Sequence, residues 1–478
     1  MNTVVQAQTA QAALGDLWRD AGLDEADLQR AQLTGPATVP GFASSFAAVA
    51  AVQASVAAAA LMATELGKLR QPHLPAQTVR VDAQHAAFET SGYFTLNGAA
   101  PDLWSPISGL YACGGDLGEP SFVRIHANFD HHRDGALALL GLPTGPQTSR
   151  TAVQAALQGW RATDFEARAV QAGLPIVALR TAEQWLQQEQ EAEIARHPLV
   201  ELERIGDAPP LSWPQLGDDQ RPLASIRLLD LTRILSGPAA ARTLAAYGAD
   251  VLMVNGPHLP NIEAIADLSR GKRSALLDLR SAAGRADLQS LVRDAHVFLQ
   301  AYRPGSLAAK GFAAQDLAAL RPGIVVAELC AYGWQGPWGG RPGFDSLVQT
   351  ACGINVDEGL AQGSGKPRVL PMQALDYGAG FLLAFGIQAT LLRQAREGGS
   401  WRVRVTLAGT ARWLRSLGRV PVAADEWEQP RADIAPYLES QGSGFGRLQA
   451  VRHCAQLSRT PVAWSHASMP PGSHVPRW

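Results

Sequence analysis

A chain of 478 residues, 46% hydrophobic and 18% charged, carries enough apolar material to bury a substantial core and form two or more domains. Its formal net charge of -2, with acids and bases interspersed, provides no basic stripe to neutralise a phosphate backbone, so nucleic acid is not an expected partner and small-molecule chemistry is. The four cysteines, Cys113, Cys330, Cys352 and Cys454, form no CxxC pair and no metal-site spacing, and read as reduced, mostly buried thiols.

The N-terminal segment lacks a positive region followed by an apolar one, so no secretory signal is expected. The longest apolar stretch, residues 47–62, is interrupted by Gln53 and is shorter than the roughly eighteen residues of a membrane span. A cytoplasmic protein without a membrane partner is the expectation. Farther on, HANFDHHRD carries His126, His131 and His132; a surface turn beside a strand is expected there rather than a metal cluster. Residues 206–222 are dense in proline, glycine and aspartate and set the main boundary, giving domains over 1–215 and 216–478.

Beyond that boundary, residues 226–231 form a compact apolar run with strand character. Leu235, Ser236, Gly237 and Pro238 make a turn, and residues 239–247 read as a helix closed by Gly248. A second strand is predicted over 251–254. Ser281 caps a helix running to about Arg293, and further strands are predicted over 296–299 and 323–329. Strands alternating with helices imply βαβ units: an α/β fold with a Rossmann-like, doubly wound parallel sheet, beside a smaller α+β domain. The ligand crevice of such a sheet lies at the carboxyl ends of its strands, so the turns after Leu231, Val254, Leu299 and Leu329 are the ones to watch. No GxGxxG occupies the first turn, which argues against NAD. An internal repeat aligns SFAAVAAVQAS from Ser45 with GFLLAFGIQAT from Gly380, and VRVDAQHAA from Val79 with VRVTLAGTA from Val403.

Six collinear blocks stand out in the C-terminal half. They are LLDLTRILSGP from Leu228, YGADVLMV from Tyr247, RGKRSALLDLRS from Arg270, YRPGSLAAKGF from Tyr302, YGWQGPWGGRPGFD from Tyr332 and LPMQALDYGAG from Leu370. Together they resemble the family III CoA-transferases, the group that includes formyl-CoA transferase, carnitine CoA-transferase and α-methylacyl-CoA racemase. In the N-terminal half, YACGGDLGEPSFVRIHANFDHHRDG from Tyr111 resembles the opening of that family's small domain, and AGLPIVALRTAEQWLQ from Ala172 a following αβα element. The domain order is thus rearranged or partly duplicated.

The resemblance implies a CoA-transferase that moves CoA between carboxylic acids, with acyl-CoA and a free acid as substrates, coenzyme A as the carried group, no metal, and an interlocked homodimer. It makes Asp376 the carboxylate nucleophile, passing through a mixed anhydride and an aspartyl-CoA thioester, with Asp345 in support. Gly378 and Gly380 are expected to allow close approach of the acyl group and to supply oxyanion donors. Leu235, Ser236, Leu277, Arg280, Tyr302, Arg303 and Lys310 match or neighbour the family's CoA contacts. Read without the resemblance, Asp376 suits a helix N-cap, Asp345 a solvated loop position, and Arg280 and Lys310 solvated helix-end charges.

Two departures from the family pattern are Asn255-Gly256, where an acidic and a basic residue are usual, and the Ala301-Tyr302 pair, which lacks the family's asparagine. Phe344 stands where the racemase branch has histidine, which removes that branch's second proton carrier. An acyl-CoA racemase or isomerase and a catalytically silent CoA-binding protein are the alternatives.

Overall fold

The computed structural model describes residues 7–116 and 119–478. Strands β1 (Ala31–Thr34) and β2 (Val79–Asp82) pair in parallel across the long helix Ala48–Arg70. β3 (Phe94–Leu96) follows. β4 (Gly109–Asp116), β5 (Glu119–Ile125) and β6 (Ile176–Ala178) then form an antiparallel sheet with its own apolar cluster, which includes Tyr111, Val123, Ile125, Leu157 and Phe165. This is the smaller α+β unit.

The main sheet has seven strands: β7 (Glu201–Gly206), β8 (Arg227–Leu231), β9 (Asp250–Asn255), β10 (Lys272–Leu276), β11 (Val297–Gln300), β12 (Val325–Cys330) and β13 (Ser400–Thr406). Their order is β10-β9-β8-β11-β12-β13-β7, parallel except for the antiparallel edge strand β7. Runs such as Val251–Val254 and Val325–Ala327 are buried on both faces, as a parallel sheet under helices requires. The order in which strands are added reverses between β8 and β11, β9 and β10 extending one way and β12 and β13 the other, which makes a topological switch point. Each strand predicted in this region is present, as is the helix Ala282–Arg293, whose cap is the Ser281 hydroxyl accepting the Gly284 N–H at 3.0 Å.

Elements cross the 215/216 division in both directions. β7 joins the main sheet from the N-terminal side, while β14 (Leu438–Ser443), β15 (Gly446–Val451) and β16 (Ala455–Leu457) return from the C-terminal end. β15 pairs with β3, and β16 with β2.

The core is organised by two long helices packed along one another, Ala48–Arg70 and Ala374–Glu397. Both are long and apolar enough to cross a membrane, and 94% and 100% of their most apolar windows are buried inside the protein. The first continues well beyond residue 62, because Thr64 and Glu65 are buried with Arg30 donating to them, and the buried Arg70 donates to the Pro214 and Pro222 carbonyls, which extends the covered face. The internal repeat has a structural counterpart. Helix Ala48–Arg70, β2 and helix Ala83–Thr90 follow the same order as helix Ala374–Glu397, β13 and helix Leu407–Ser416. In each copy the last residue of the strand caps the following helix: Asp82 accepts the His85 N–H, and Thr406 accepts the Gly409 N–H.

Candidate active site

The helix Ser236–Ala246 begins four residues after β8 ends, and it lies against the N-terminal part of the Ala374 helix. The approach is close because position 380 is glycine: a Cβ there would stand 2.6 Å from the Ser236 carbonyl oxygen and 3.1 Å from the Ala239 Cβ. Contact at this distance brings the Ser236 hydroxyl to Asp376, where it donates to Oδ1.

Asp376 occupies the third position of its helix, and the preceding cap residue, Gln373, makes no side-chain cap bond. The cap comes from elsewhere in the chain. Asp345, the first residue of helix Asp345–Ala351, presents Oδ2 to the N–H groups of Leu375 and Asp376, each at 2.9 Å, and accepts the Gln349 side-chain amide on Oδ1. Asp345 is therefore a buried helix cap rather than a solvated loop residue, and Asp376 is left free of that duty.

Two buried carboxyls now share one helix terminus. Burial raises Asp376 to about 8, reinforced by the Asp345 charge and opposed by the Ser236 hydrogen bond. Burial also raises Asp345, to about 6, against the opposing pull of its two backbone N–H donors, Gln349 and Arg124. Asp345, with three donors, is the member of the pair that ionises first, and its charge then holds the proton on Asp376.

Asp376 and Asp345 open into a cavity of about 110 Å³. The C-terminal half contributes Ile234, Leu235, Phe344 and Tyr377 to its walls, and the N-terminal half contributes Ser91, Phe94, Trp104, His126 and Asn128. Ile234 and Phe344 also line a second, larger cavity of about 280 Å³ at the carboxyl ends of β8, β11 and β12, bordered by Leu231, Arg233, Tyr302, Arg303, Cys330 and Arg341. The second cavity is the crevice expected at the switch point. Ile234, at the junction, has φ +78°, a left-handed conformation that a β-branched residue adopts only under strain.

The residues singled out from sequence fall into two groups. Leu235 and Ser236 stand at the Asp376 cavity, while Tyr302 and Arg303 line the crevice, the Arg303 guanidinium also donating to the Gly173 carbonyl of the N-terminal half at 3.2 Å. Leu277, Arg280 and Lys310 line neither cavity. Leu277 is packed in the apolar cluster beneath the sheet, Arg280 is exposed and paired with Asp278, and Lys310 is exposed in a short 3-10 turn. The glycines act differently from expectation too. Gly378 and Gly380 lie past the first helical turn, where backbone N–H groups bond within the helix, so their small size serves helix packing.

The histidine motif also departs from a surface turn. His126 and His132 are buried, the first in the wall of the Asp376 cavity and the second in the crevice. Arg233 and Arg341 had no signal of their own, although both lie inside quoted blocks, in LTR and RPG; His126 was singled out only as part of a surface turn. The repeat alignment sets Gly41 opposite Asp376, so the N-terminal copy has no matching carboxylate.

Residues 223–431 match the model of CoA-transferase family III. Over these residues, somewhat less than half of its length, the chain is similar to that family. An acyl-CoA transferase of Gibberella moniliformis is 34% identical over 304 residues, covering 60% of this chain and 53% of the relative. A probable fatty acyl-CoA transferase of Mycobacterium tuberculosis is 32% identical over 243 residues, covering 47% and 61%. A mouse succinyl-CoA:glutarate CoA-transferase is 32% identical over 195 residues, covering 38% and 44%. The chain spans about half the length of the curated relatives it matches. A solved Mycobacterium tuberculosis structure aligns at 32% identity with a TM-score of 0.39, over 41% of this chain and 58% of that one. The family III segment contains Ser236, Asp345 and Asp376, whereas the cavity walls formed by Trp104 and His126 lie outside it.

Proposed function

We propose that this chain transfers CoA between carboxylic acids with Asp376 as the nucleophile. The observation that carries the proposal is a buried carboxylate held by Ser236, relieved of capping by a second carboxylate, and facing a small cavity that adjoins the switch-point crevice.

In this reading the crevice takes the CoA moiety. Arg233, Arg303 and Arg341 line it and suit the phosphates of a triphosphorylated ligand, and the acyl group enters the smaller cavity past Ile234 and Phe344. An ionised Asp376 oxygen attacks the thioester carbonyl, the C–S bond breaks, and CoA leaves as thiolate, giving a mixed anhydride. The thiolate then attacks the aspartyl carbonyl, releasing the donor acid and forming an aspartyl-CoA thioester. The acceptor carboxylate takes CoA by the same two steps in reverse, which returns Asp376 as a carboxylate. Both intermediates hydrolyse in open water, and enclosure by residues from both halves of the chain protects them.

The test is to incubate the protein with a panel of acyl-CoAs, trap with hydroxylamine or borohydride, and map the modified peptide by mass spectrometry. Modification of Asp376 supports the proposal. Absence of a label from every donor, with CoA thioesters still bound, refutes it; α-proton exchange with solvent deuterium in such samples would establish the isomerase alternative instead.

A further inference from the structure

His126 stands immediately after β5, and β5 is fastened to the Asp345 helix by Arg124, whose Nε donates to the Thr350 hydroxyl at 2.8 Å. This contact sets the imidazole on Phe344, stacked at 3.8 Å between centroids with 11° between planes. Trp104 meets the ring edge-on from the other side, at 5.7 Å and 70°. The histidine therefore stands in the wall of the same cavity as Asp345 and Asp376.

Two features distinguish it from a histidine serving only as packing. It is 6% exposed, and its Nδ1 is buried with no hydrogen-bond partner. Leaving a buried polar atom unpaired costs roughly 1–3 kcal/mol, and a ligand that supplies the partner recovers that cost. Two of the other polar side chains in the wall are already engaged: Asn128 bonds Ser105, Ser108 and Leu103, and Asp267 bonds Arg242 and Arg270. Burial, with lesser contributions from His132 and Arg124, pushes the His126 imidazole down to about 3. The ring is neutral at physiological pH and presents one donor and one acceptor.

Resting on the transferase reading of this cavity, we propose that His126 recognises a hydrogen-bonding oxygen on a short acyl group. The size of the group follows from the space. At about 30 Å³ for each water-sized unit, a cavity of about 110 Å³ holds about four non-hydrogen atoms. The substrate class is thus an acyl chain of about two or three carbons bearing an oxygen function beyond the thioester carbonyl. Against the apolar walls formed by Phe94, Leu103, Ile262 and Leu268, the unpaired His126 nitrogen is a buried polar atom that such an oxygen would partner.

The experiment uses isosteric CoA thioesters: 3-hydroxypropionyl-CoA against butyryl-CoA, and lactoyl-CoA against isobutyryl-CoA. Dissociation constants are measured for the wild type, His126→Phe and His126→Gln. Phenylalanine keeps the stack on Phe344 and removes both nitrogens, whereas glutamine keeps a donor and an acceptor. The wild type is expected to favour the hydroxylated member of at least one pair by about tenfold or more. His126→Phe loses that preference, and His126→Gln retains part of it. Equal binding within both pairs by the wild type, or a preference that survives in His126→Phe, overturns the assignment; if His126→Phe does not fold, a His126→Gln preference equal to wild type in a pair that wild type distinguishes supports it, and complete loss overturns it. Labelling of Asp376 is scored separately. A label without discrimination sinks the role of His126 alone, and discrimination without a label sinks the transfer chemistry alone.

Discussion

Ser236→Ala removes the one hydrogen bond that, among the described residues, favours the ionised form of Asp376. A hydrogen bond to a charged group is worth about 1.5–3 kcal/mol, and about 1.4 kcal/mol is one pKa unit. The nucleophile's apparent pKa therefore rises by about one to two units. In the proposed mechanism the ionised carboxylate is the reacting form, so the rising limb of the kcat/KM against pH profile is expected to move to higher pH by the same amount. Below the limb the variant is slower by about ten- to a hundredfold, and above it the two enzymes converge. The assay is acyl-enzyme formation from a donor thioester across pH 6 to 11, with donor binding measured alongside, because Ser236 touches the carboxylate and should leave affinity nearly unchanged. A limb that stays in place or moves down, or a deficit that persists at high pH, would refute the assignment of Ser236 as the group that tunes Asp376.

Asp376→Asn should abolish turnover while retaining CoA thioester binding. Its stability should exceed that of the wild type progressively as pH rises: the folded-state pKa is raised from 3.8 to about 8, so the wild type loses stability between those values. Urea midpoints at pH 5 and pH 9 read the difference. Glu89→Gln strikes a fully buried site where the carboxylate accepts from Arg242 at 3.0 Å, His453 at 2.9 Å and the Cys454 N–H at 2.8 Å. Although burial opposes it, His453 and Arg242 hold Glu89 well below the usual carboxyl range. Removing its charge strands the Arg242 side and is expected to cost about 3–5 kcal/mol in urea unfolding. Gly380→Ala pushes the Ser236 and Ala374 helices apart, with an expected loss of about 1–3 kcal/mol and a pH profile displaced in the same direction as Ser236→Ala; an unshifted profile would separate helix packing from carboxylate tuning.

Much of this protein was written locally. The apolar strand runs and the Ser281 cap gave the parallel sheet, because each signal depends on neighbours within about one turn or strand, whereas the turn read at residues 235–238 is the start of the helix Ser236–Ala246. The two assignments that local reasoning left ambiguous were Asp376 as cap or nucleophile and Asp345 as loop or support. Contacts between residues 31 positions apart show that Asp345, not Asp376, caps the helix, by accepting the Leu375 and Asp376 N–H groups.

The rest depended on long-range packing. His126 reaches Phe344 only because β5 docks on the Asp345 helix, and no periodicity or spacing within HANFDHHRD encodes that contact. Leu277, Arg280 and Lys310 sit in family-like blocks, yet the sheet turns Leu277 into the apolar core and leaves the two cations in solvent. β7 and β14–β16 cross the apparent division because strand pairing is satisfied by backbone groups, which any sequence carries. By itself, then, the sequence determined the strands of the main sheet and marked Asp376 as the candidate carboxylate. Tertiary structure decided which side chains are desolvated together, and so which groups are held neutral, charged or unpaired in the site.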